Sequence, residues 1–552
     1  MRSLITVILL SAVGSMPGAV GANTQTPQDR SDPSVVEEEL RPRGEARDRR
    51  AGQRLEVEDL DLEAALTRPV LIRNVRLEGA TALPPAAYAP VILPYKGRTL
   101  TGAELQDLAT AVAQVARNAG YGLASAWVPE QTIEDGLLRI EIDEGRIDDI
   151  RIEGEASAAV RRVFDGLALG QPVRTADLER RLLLAGDLPG VTIDKPRVER
   201  IDGRTLLVLA ARQSAVRGRA YADNWGSGTV GPVRAHLKVD VNGLFAGDDR
   251  LTVGGVVTPL DPKEFALARI AYAKAIGGNG TELTASAYAA RSRPGGILSD
   301  RDFEGRSLEG SIGINHPFVR SRAASLWGET EFVVRDAEQS LADVAVRKDR
   351  LAVAKAGLYS TAELVGGTAR ARLSASRGLD IFDATSEGDP MRSRSDASAI
   401  FSKLEFWAHY DRTLAGPFSF QLQGEGQIAS RPLLSSEEMG LGGRYFLRGY
   451  DYREFSGDKG VAGSVELRFD LPRWGSLVRD AQLYGYADAG TVGNYRDGAG
   501  GGSLASAGGG IRTWLGRNID ASLEVGVPLK DGADPDEKLN PRISFVIGSR
   551  FE

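Results

Sequence analysis

One stretch of the chain, Leu441 to Gly460, has residue types that can anchor a loop inside a larger structure. It reads LGGRYFLRGYDYREFSGDKG and combines five glycines with several aromatic side chains, whereas ordinary surface loops carry few aromatics. Glycines let backbone pack against backbone, and Arg448, in a tight turn before Gly449-Tyr450, can present its guanidinium to a fixed carboxylate. The stretch is therefore predicted to fold inward against a wall, with an exposed hairpin loop as the alternative.

Other residues that could carry chemistry are few. Three histidines lie in unrelated strand contexts, at His236, His316 and His409. Hydrolysis commonly needs a nucleophile activated by histidine, and no G-x-S-x-G sequence is present. A group of carboxylates occurs near the C-terminus, at Asp531, Asp534, Asp536 and Glu537. This group lacks the spacing of a calcium loop, so we predict a solvated loop there, and neither an enzyme nor a metal or cofactor site.

Composition narrows the class of protein further. The 552 residues are enough for several domains, and the net charge of -7 argues against a nucleic-acid partner, which would need a basic face. The chain has no cysteine, which removes disulfides, thiolate metal sites and a lipidated N-terminus. We therefore expect an ordered, acidic protein of a kind that does not bind nucleic acid.

The N-terminus is predicted to be an export signal. Residues 1–22 contain Arg2, an apolar run from Leu4 to about Val13, and a small-residue end at Ala22, which favours cleavage over an uncleaved anchor. Residues 23–69 follow as a charged segment, with either a short helix around 33–40 or a disordered tail. Export without cysteines suggests the periplasm or outer membrane of a Gram-negative cell.

The same order of predicted elements, strand, two helices and two strands, occurs twice, in residues 70–145 and 146–213. A capping-box sequence, T-G-A-E, begins at Thr101. The strand IDDIRIEG mirrors the earlier LIRNVRLEG, with Gly154 where Gly79 stood. Each βααββ unit leaves a sheet edge that an extended segment can join, so we expect these units to dock a client; inert spacers are the alternative.

From residue 214 to 552, apolar and polar residues alternate with a period of two. Val465, Leu467 and Phe469, for example, alternate with polar neighbours. Strands of about ten residues, alternately short and long loops, and an aromatic near the end of the last strand favour an outer-membrane barrel over a soluble sandwich. Only a closed barrel satisfies every backbone polar group in lipid.

Sixteen strands are predicted, an even number. They begin near Arg217, Val233, Asp249, Glu264, Thr281, Arg306, Arg322, Val344, Gly366, Ala397, Gly416, Val461, Asp480, Ser503, Asn518 and Pro541. A membrane β-barrel of 16 antiparallel strands leaves a wet lumen that needs plugging. The stretch around Leu441 falls between the eleventh and twelfth strands, so residues 429–460, the inward loop, are predicted to occupy that lumen.

The chain resembles the two-partner secretion transporters of the haemolysin and filamentous-haemagglutinin type. The resemblance rests on the charged N-terminal segment, the two repeats, the sixteen strands and the FLRGY of the inward loop. The first repeat, with LPYKGRTLTGAELQDLA and GYGLASAWVPEQTIEDGLLRIEIDEGRI, looks like the first polypeptide-transport-associated (POTRA) domain of these transporters. The family usually has Val or Ile before Arg-Gly-Tyr, so Leu447 is a mild departure.

The resemblance also implies roles for individual residues. The family's loop arginine pairs with the aspartate of an aromatic-x-Asp-x-Gly strand motif, here Tyr486 to Gly490, which implies that Arg448 pairs with Asp488. An arginine inside a barrel needs a wall carboxylate in any case, and the small Gly490 leaves room for the loop. The predicted loop lock is Arg448, Gly449, Tyr450, Asp488 and Gly490. Its predicted supports are Gly442, Gly443, Phe446, Leu447, Gly457 and Asp458.

The function implied is that of an outer-membrane translocator. An unfolded exoprotein would bind the periplasmic POTRA domains and leave through the barrel, beside a plug helix from the charged segment. No phosphate-cradling GxxxxGK sequence is present, so the driving force is expected to come from the client folding outside. Other expected partners are outer-membrane lipid and the barrel assembly machinery, for which Phe551 resembles the assembly signal. The alternative is an assembly factor for other barrels.

Overall fold

The computed structural model describes residues 27–41, 56–57, 69–154, 157–201, 204–473, 475, 478–495, 501–533 and 540–552. The predicted signal peptide lies outside the described residues, as does most of the segment that follows Arg41. Among the helices of the described residues, none is both long and apolar enough to cross a membrane.

The charged segment contains two helices, α1 (Pro27–Arg30) and α2 (Pro33–Leu40), and a short strand, β1 (Glu56–Val57). Helix α2 begins where the Asp32 carboxylate accepts a hydrogen bond from the Ser34 N–H at 2.8 Å. It ends at Arg41, whose backbone is extended. The residue before a proline is biased to extended conformations, and Pro42 comes next in the sequence.

The first periplasmic unit consists of β2 (Val70–Ile72), β3 (Asn74–Glu78), α3 (Ala89–Ile92), β4 (Arg98–Leu100), α4 (Gly102–Asn118), β5 (Ser125–Trp127) and β6 (Leu137–Asp143). Its sheet has the order β3-β6-β5, with β2 and β4 as a separate pair. The predicted capping box is present, since Thr101 and Glu104 bond each other's backbone N–H. Helix α4 then packs an apolar face on the sheet.

One local prediction for this unit is wrong. The strand expected at LIRNVRLEG is interrupted at Arg73 and divides into β2 and β3. After it, residues 85–95 form a single turn of α-helix, α3, between two 3₁₀ turns, because the run contains Pro90 between Pro85 and Pro94.

The second periplasmic unit consists of β7 (Asp149–Glu153), α5 (Ser157–Phe164), α6 (Thr175–Asp187), β8 (Val191–Ile201) and β9 (Arg204–Gln213). Its sheet has the order β1-β8-β9-β7, with β1 from the charged segment running parallel to β8. Gly79 and Gly154 occupy matching places in the two units. Each has a φ near +100°, and a Cβ there would lie 2.2 Å from a carbonyl oxygen of the unit's last strand.

The remainder of the chain closes into one antiparallel barrel of sixteen strands, which confirms the predicted strand number. The barrel strands are β10 (Val216–Asp223), β11 (Arg234–Asn242), β12 (Asp249–Val257), β13 (Phe265–Ile276), β14 (Thr281–Ser292), β15 (Phe303–Arg320), β16 (Ala324–Leu341), β17 (Val344–Leu364), β18 (Gly367–Gly378), β19 (Ser402–Thr413), β20 (Phe418–Ala429), β23 (Lys459–Asp470), β24 (Val478–Gly493), β25 (Gly502–Leu515), β26 (Ile519–Pro528) and β27 (Arg542–Phe551). A hairpin of β21 (Met439–Leu441) and β22 (Phe455–Gly457) lies between β20 and β23.

The alternation of the barrel strands separates a lipid-facing side from a lumen-facing side. Leu237 is 51% exposed on the outer surface, whereas Arg234, three residues earlier on the same strand, is 1% exposed. Val465 and Leu467 are likewise exposed, and Glu466 between them is buried. Charged side chains therefore meet inside the barrel, where water and opposite charges can satisfy them.

The tenth strand starts later than predicted. A strand was expected near Ala397, but β19 begins at Ser402, so the long loop before it extends from residue 379 to residue 401. Residues 397–401 instead join an apolar cluster that includes Phe401 and Leu433. Similarly, the inward loop comprises residues 430–458, since β20 ends at Ala429 and β23 begins at Lys459.

Candidate functional site

The tip of the inward loop is a tight turn pressed against the barrel wall. Leu447 has a φ of +60°, and the Tyr450 N–H donates a hydrogen bond to the Leu447 carbonyl at 3.0 Å. A Cβ on Gly449 would lie 2.9 Å from the backbone of Pro528 in β26, so only glycine allows this approach. The turn aims the Arg448 side chain at strands β23, β24 and β26.

Arg448 makes a forked contact with Asp488. Its Nε lies 3.1 Å from Oδ2 and its Nη2 lies 3.2 Å from Oδ1, while the Arg448 backbone N–H also donates to Oδ2 at 3.2 Å. Only 7% of the arginine side chain is exposed and none of the aspartate side chain. A bidentate pair of this kind is directional as well as strong, and removing one partner of a buried pair costs about 3–5 kcal/mol.

Two more carboxylates and a tyrosine ring complete the surroundings of Arg448. Its Nη1 lies 3.0 Å from Glu466 and 3.3 Å from Glu524. The guanidinium also stacks over the Tyr486 ring, 3.3 Å from the centroid. Arg512 neutralises Glu466 at 2.6 Å. The positive charge of the loop thus enters a pocket that is acidic before the loop arrives.

Three of these contacts with Arg448 were not predicted from the sequence: those of Glu466, of Glu524 and of Tyr486 as a stacking partner. A signal was available, because all three lie on the polar, lumen-facing side of alternating strands. Alternation identifies the face but not the height at which neighbouring strands bring their side chains together, because that depends on the pairing register.

The other predicted lock residues and the supports lie along the inward loop and on the wall beside it, and Asp458 is the last residue of the loop before β23. The Tyr450 hydroxyl donates to the carbonyls of Ala505 and Lys530, both at 2.8 Å. A Cβ on Gly490 would lie within 3.1 Å of Leu447, so the glycine does leave room for the loop. The others are placed as follows: Gly442 and Gly443 have φ above +100°, Phe446 and Leu447 are buried, and Gly457 lies against Gly493.

Helix α2 lies inside the barrel beside the inward loop. Its Glu37 contacts Arg269 of β13, and Arg41 at its end lies 2.7 Å from Glu309 of β15. The Tyr452 hydroxyl of the loop donates to the carbonyl of Arg30, which joins the loop to the turn before the helix. Helix and loop therefore occupy the lumen together.

The lumen also contains a polar cavity of about 440 Å³, lined by side chains that include Glu331, Lys355, Lys403 and Glu405. Residues of helix α2 and of the inward loop line this cavity as well.

Two other predicted features lie elsewhere. Phe551 pairs with Gly218 of the first barrel strand and is 41% exposed, with its ring in the space that a Cβ at Gly218 would occupy. Among the described residues there is no cluster of histidine and carboxylate side chains that could hold a metal. Asp534, Asp536 and Glu537 lie outside those residues.

A closed sixteen-stranded barrel that holds its own helix and loop in the lumen, preceded by two small units of sheet and helix, is the architecture of an outer-membrane barrel protein. The ShlB-type POTRA domain model matches residues 70–145, and the model of the haemolysin secretion/activation protein ShlB/FhaC/HecB matches residues 203–513. Because the second match spans more than half of the chain, the protein belongs to the ShlB/FhaC/HecB haemolysin secretion/activation family. It is located in the outer membrane, with its POTRA region in the periplasm.

Relatives of known class agree with this assignment. The Heme/hemopexin transporter protein HuxB of Haemophilus influenzae (strain 86-028NP) is 23% identical over 406 residues, which cover 72% of this chain and 71% of HuxB. The outer membrane transporter CdiB of Dickeya dadantii (strain 3937) is 23% identical over 492 residues, 85% of each chain. The solved structure of CdiB from Escherichia coli has the same fold, with a TM-score of 0.71 at 20% identity over 95% of both chains.

Proposed function

We propose that this protein binds an unfolded exoprotein at two periplasmic POTRA domains, residues 70–145 and 146–213, and secretes it through the barrel. HuxB is named a transporter of heme/hemopexin, and CdiB is named an outer membrane transporter. Both names describe a transporter. For this chain we propose a polypeptide cargo, because the periplasmic units offer sheet edges to an extended chain.

The repeat geometry supports a second POTRA domain. Both units place a helix pair on one face of a sheet, and both begin with a strand parallel to the unit's last strand. The matching glycines Gly79 and Gly154 contact the last strand in the same way. The units also pack together, since Leu123 of the first unit belongs to the apolar core of the second.

The observation that carries the proposal is the arginine on the inward loop. A loop that merely filled space would be held by apolar packing, whereas Arg448 is held by directional contacts to charged wall residues. Such contacts are strong while water is excluded and weaken once water or a competing polar chain enters. The loop lock, Arg448 with Asp488, is therefore proposed to hold the pore shut until a client engages.

The proposal is tested by Arg448→Ala in the full chain, with Arg431→Ala as the control. Arg431 lies in the same loop but is an exposed residue that pairs with Glu387 at 3.4 Å. We expect Arg448→Ala to keep a heat-modifiable, inserted barrel and to lower secretion of an exoprotein whose export requires this chain at least about tenfold, consistent with loss of a buried charge pair. Asp488→Ala should have the same effect.

Two results would contradict this function. If Arg448→Ala abolished insertion itself, the arginine would serve assembly of the barrel. If deletion of the gene lowered the amounts of unrelated outer-membrane barrels while secretion continued, the protein would be an assembly factor of the same superfamily.

A further inference from the structure

We propose that Arg394 is a positioning residue that fastens the extracellular end of the inward loop, as a second clamp independent of Arg448. It lies on the loop of residues 379–401, which joins β18 and β19 on the side of the barrel opposite the periplasmic units. The inference rests on the proposed function, because it concerns how the same pore is kept closed. Asp458, predicted above as a support of the loop, is paired with Arg394, whereas Arg448 is paired with Asp488.

The clamp is a forked pair between Arg394 and Asp458. The Arg394 Nη1 lies 2.7 Å from Asp458 Oδ1, and Nη2 lies 3.0 Å from Oδ2. The arginine side chain is only 10% exposed and the aspartate side chain is fully enclosed. A planar guanidinium matched to both carboxylate oxygens fixes orientation as well as distance.

Asp458 stands where three chain segments meet at the mouth. It is the last residue of the inward loop before β23, and its Oδ1 also accepts the N–H of Leu433 at the loop's first limb, 2.8 Å away. Its Oδ2 accepts the N–H of Tyr495, on the loop after β24, at 2.8 Å. Arg394 therefore ties a fourth segment to a carboxylate that already joins both limbs of the inward loop to a neighbour.

Further contacts extend the clamp into the hairpin that carries the loop tip. Arg394 Nη1 lies 2.7 Å from Glu438, beside β21, and the hydroxyl of Ser456 in β22 donates to the same carboxylate. Beneath these charges, Phe401 of the arginine's own loop packs with Leu433 and Leu434 of the first limb. The polar pair thus covers an apolar contact between two extracellular loops.

The two arginines hold different parts of the inward loop, so the pore would open in two steps. Arg448 holds the tip against the wall strands, and Arg394 holds the base at the exit, from a loop that is itself not part of the inward loop. Release of the tip alone would leave the mouth covered. An emerging chain would have to displace both contacts, and the exit contact would be displaced last.

The test measures opening of the mouth without any client. The chain has no cysteine, so Ser398→Cys, at a position within the 379–401 loop that is 1% exposed, introduces a single thiol. Intact cells carrying the full-length protein are treated with a membrane-impermeant maleimide. We expect Arg394→Ala to raise the labelling rate at least about tenfold, as expected for loss of charged hydrogen bonds that restrain local opening.

The control is Arg392→Ala, in the same loop, because Arg392 donates to carbonyls of that loop itself, those of Ser386 and Ser395. The Arg392→Ala variant should change the labelling rate by less than about twofold, well below the tenfold change expected for Arg394→Ala. Arg448→Ala should also leave it unchanged, since it frees the tip and not the base. If the Arg394→Ala barrel loses its heat-modifiable band, Asp458→Asn takes its place with the same expectation.

Equal labelling in the Arg394→Ala and Arg392→Ala backgrounds would overturn the proposal. So would acceleration by Arg448→Ala as large as that by Arg394→Ala, because the clamps would then not be independent. If the proposed secretory function itself were wrong, the result would be different. The Arg448→Ala variant would then secrete normally, whatever the labelling rate shows.

Discussion

Buried contacts between carboxylates and guanidiniums anchor the inward loop of this protein. Arg448 and Arg394 each meet more than one carboxylate, and Gly449 brings the backbone beside Arg448 close to the barrel wall. Lysine could not replace either residue, because an ammonium group cannot form two parallel bonds to one carboxylate. A carboxylate that accepts hydrogen bonds from several donors is also found in the first periplasmic unit.

Glu144 follows β6 and holds a loop to the sheet of that unit. Its oxygens accept hydrogen bonds from the backbone N–H groups of Thr81, Ala82 and Leu83 and from the Tyr88 hydroxyl. Burial raises the pKa of the carboxyl, but these bonds to its charged form outweigh burial and lower the pKa. The stabilisation is thus present at neutral pH and is lost as the pH falls from about 4.5 through the folded-state pKa.

Glu144→Gln should therefore open this loop. A glutamine amide places N–H groups against backbone N–H groups, and the expected cost is about 1–3 kcal/mol. The measurement is amide hydrogen exchange of residues 80–88 by mass spectrometry, corrected for the intrinsic effect of pH on exchange. The control is Glu141→Gln, on the same strand, whose carboxylate only faces Arg139 at 3.9 Å. Equal exchange in both variants at pH 7 would show that Glu144 does not hold the loop.

At the scale of elements, helix α6 is docked on the periplasmic rim of the barrel. Arg320, at the end of β15, makes a forked contact with Asp187 at the end of α6, at 2.8 and 3.0 Å, and both side chains are buried. Arg180 of the same helix donates to the Pro317 carbonyl at 2.8 Å. The second periplasmic unit is thereby fixed in orientation to the barrel mouth.

Asp187→Ala should loosen this docking, because it leaves the Arg320 charge buried without its partner, at a cost of about 3–5 kcal/mol. The chain has no native cysteine, so one cysteine can be introduced in the second periplasmic unit and one in a turn of the barrel. Spin labels on these two cysteines report the distance between the unit and the barrel. We expect a broadened distance distribution and a barrel that still inserts. Asp194→Ala removes a surface pair with Arg212 in the same unit and should leave the distribution narrow. A narrow distribution in both variants would refute the docking role.

At the scale of the whole molecule, helix α2 and the inward loop share the lumen. The role of the helix in closing the pore can therefore be tested by removing a charged side chain that holds it there. Glu37 is 1% exposed and meets Arg269 and Arg41, whereas the neighbouring Glu38 side chain is 40% exposed. Loss of Glu37 leaves two arginines facing the lumen without this partner.

Glu37→Ala is accordingly expected to raise the open probability of single channels in planar bilayers several-fold, since the cost of about 3–5 kcal/mol falls on the plugged state. Glu38→Ala should behave as the unchanged protein. Identical conductance traces for the two variants would mean that the helix does not close the pore.

Much of this architecture could be read from local patterns. Period-two alternation identified the barrel, its sixteen strands and their faces, because each side chain in a strand must point either to lipid or to water. The capping box at Thr101 located the start of α4. Local patterns failed where distant packing intervened, as in residues 397–401, which read as strand but pack beneath the inward loop.

The sequence by itself determined that the chain spans a membrane as a barrel, that it carries periplasmic repeats, and that one arginine sits on a glycine-rich loop. Only the tertiary structure decided that Glu466 and Glu524 join Asp488 around Arg448, and that Arg394 meets Asp458 at the exit. The physical reason is that alternation states which face a residue occupies. The register of sixteen tilted strands, together with the paths of long loops, decides which of those residues reach the same point.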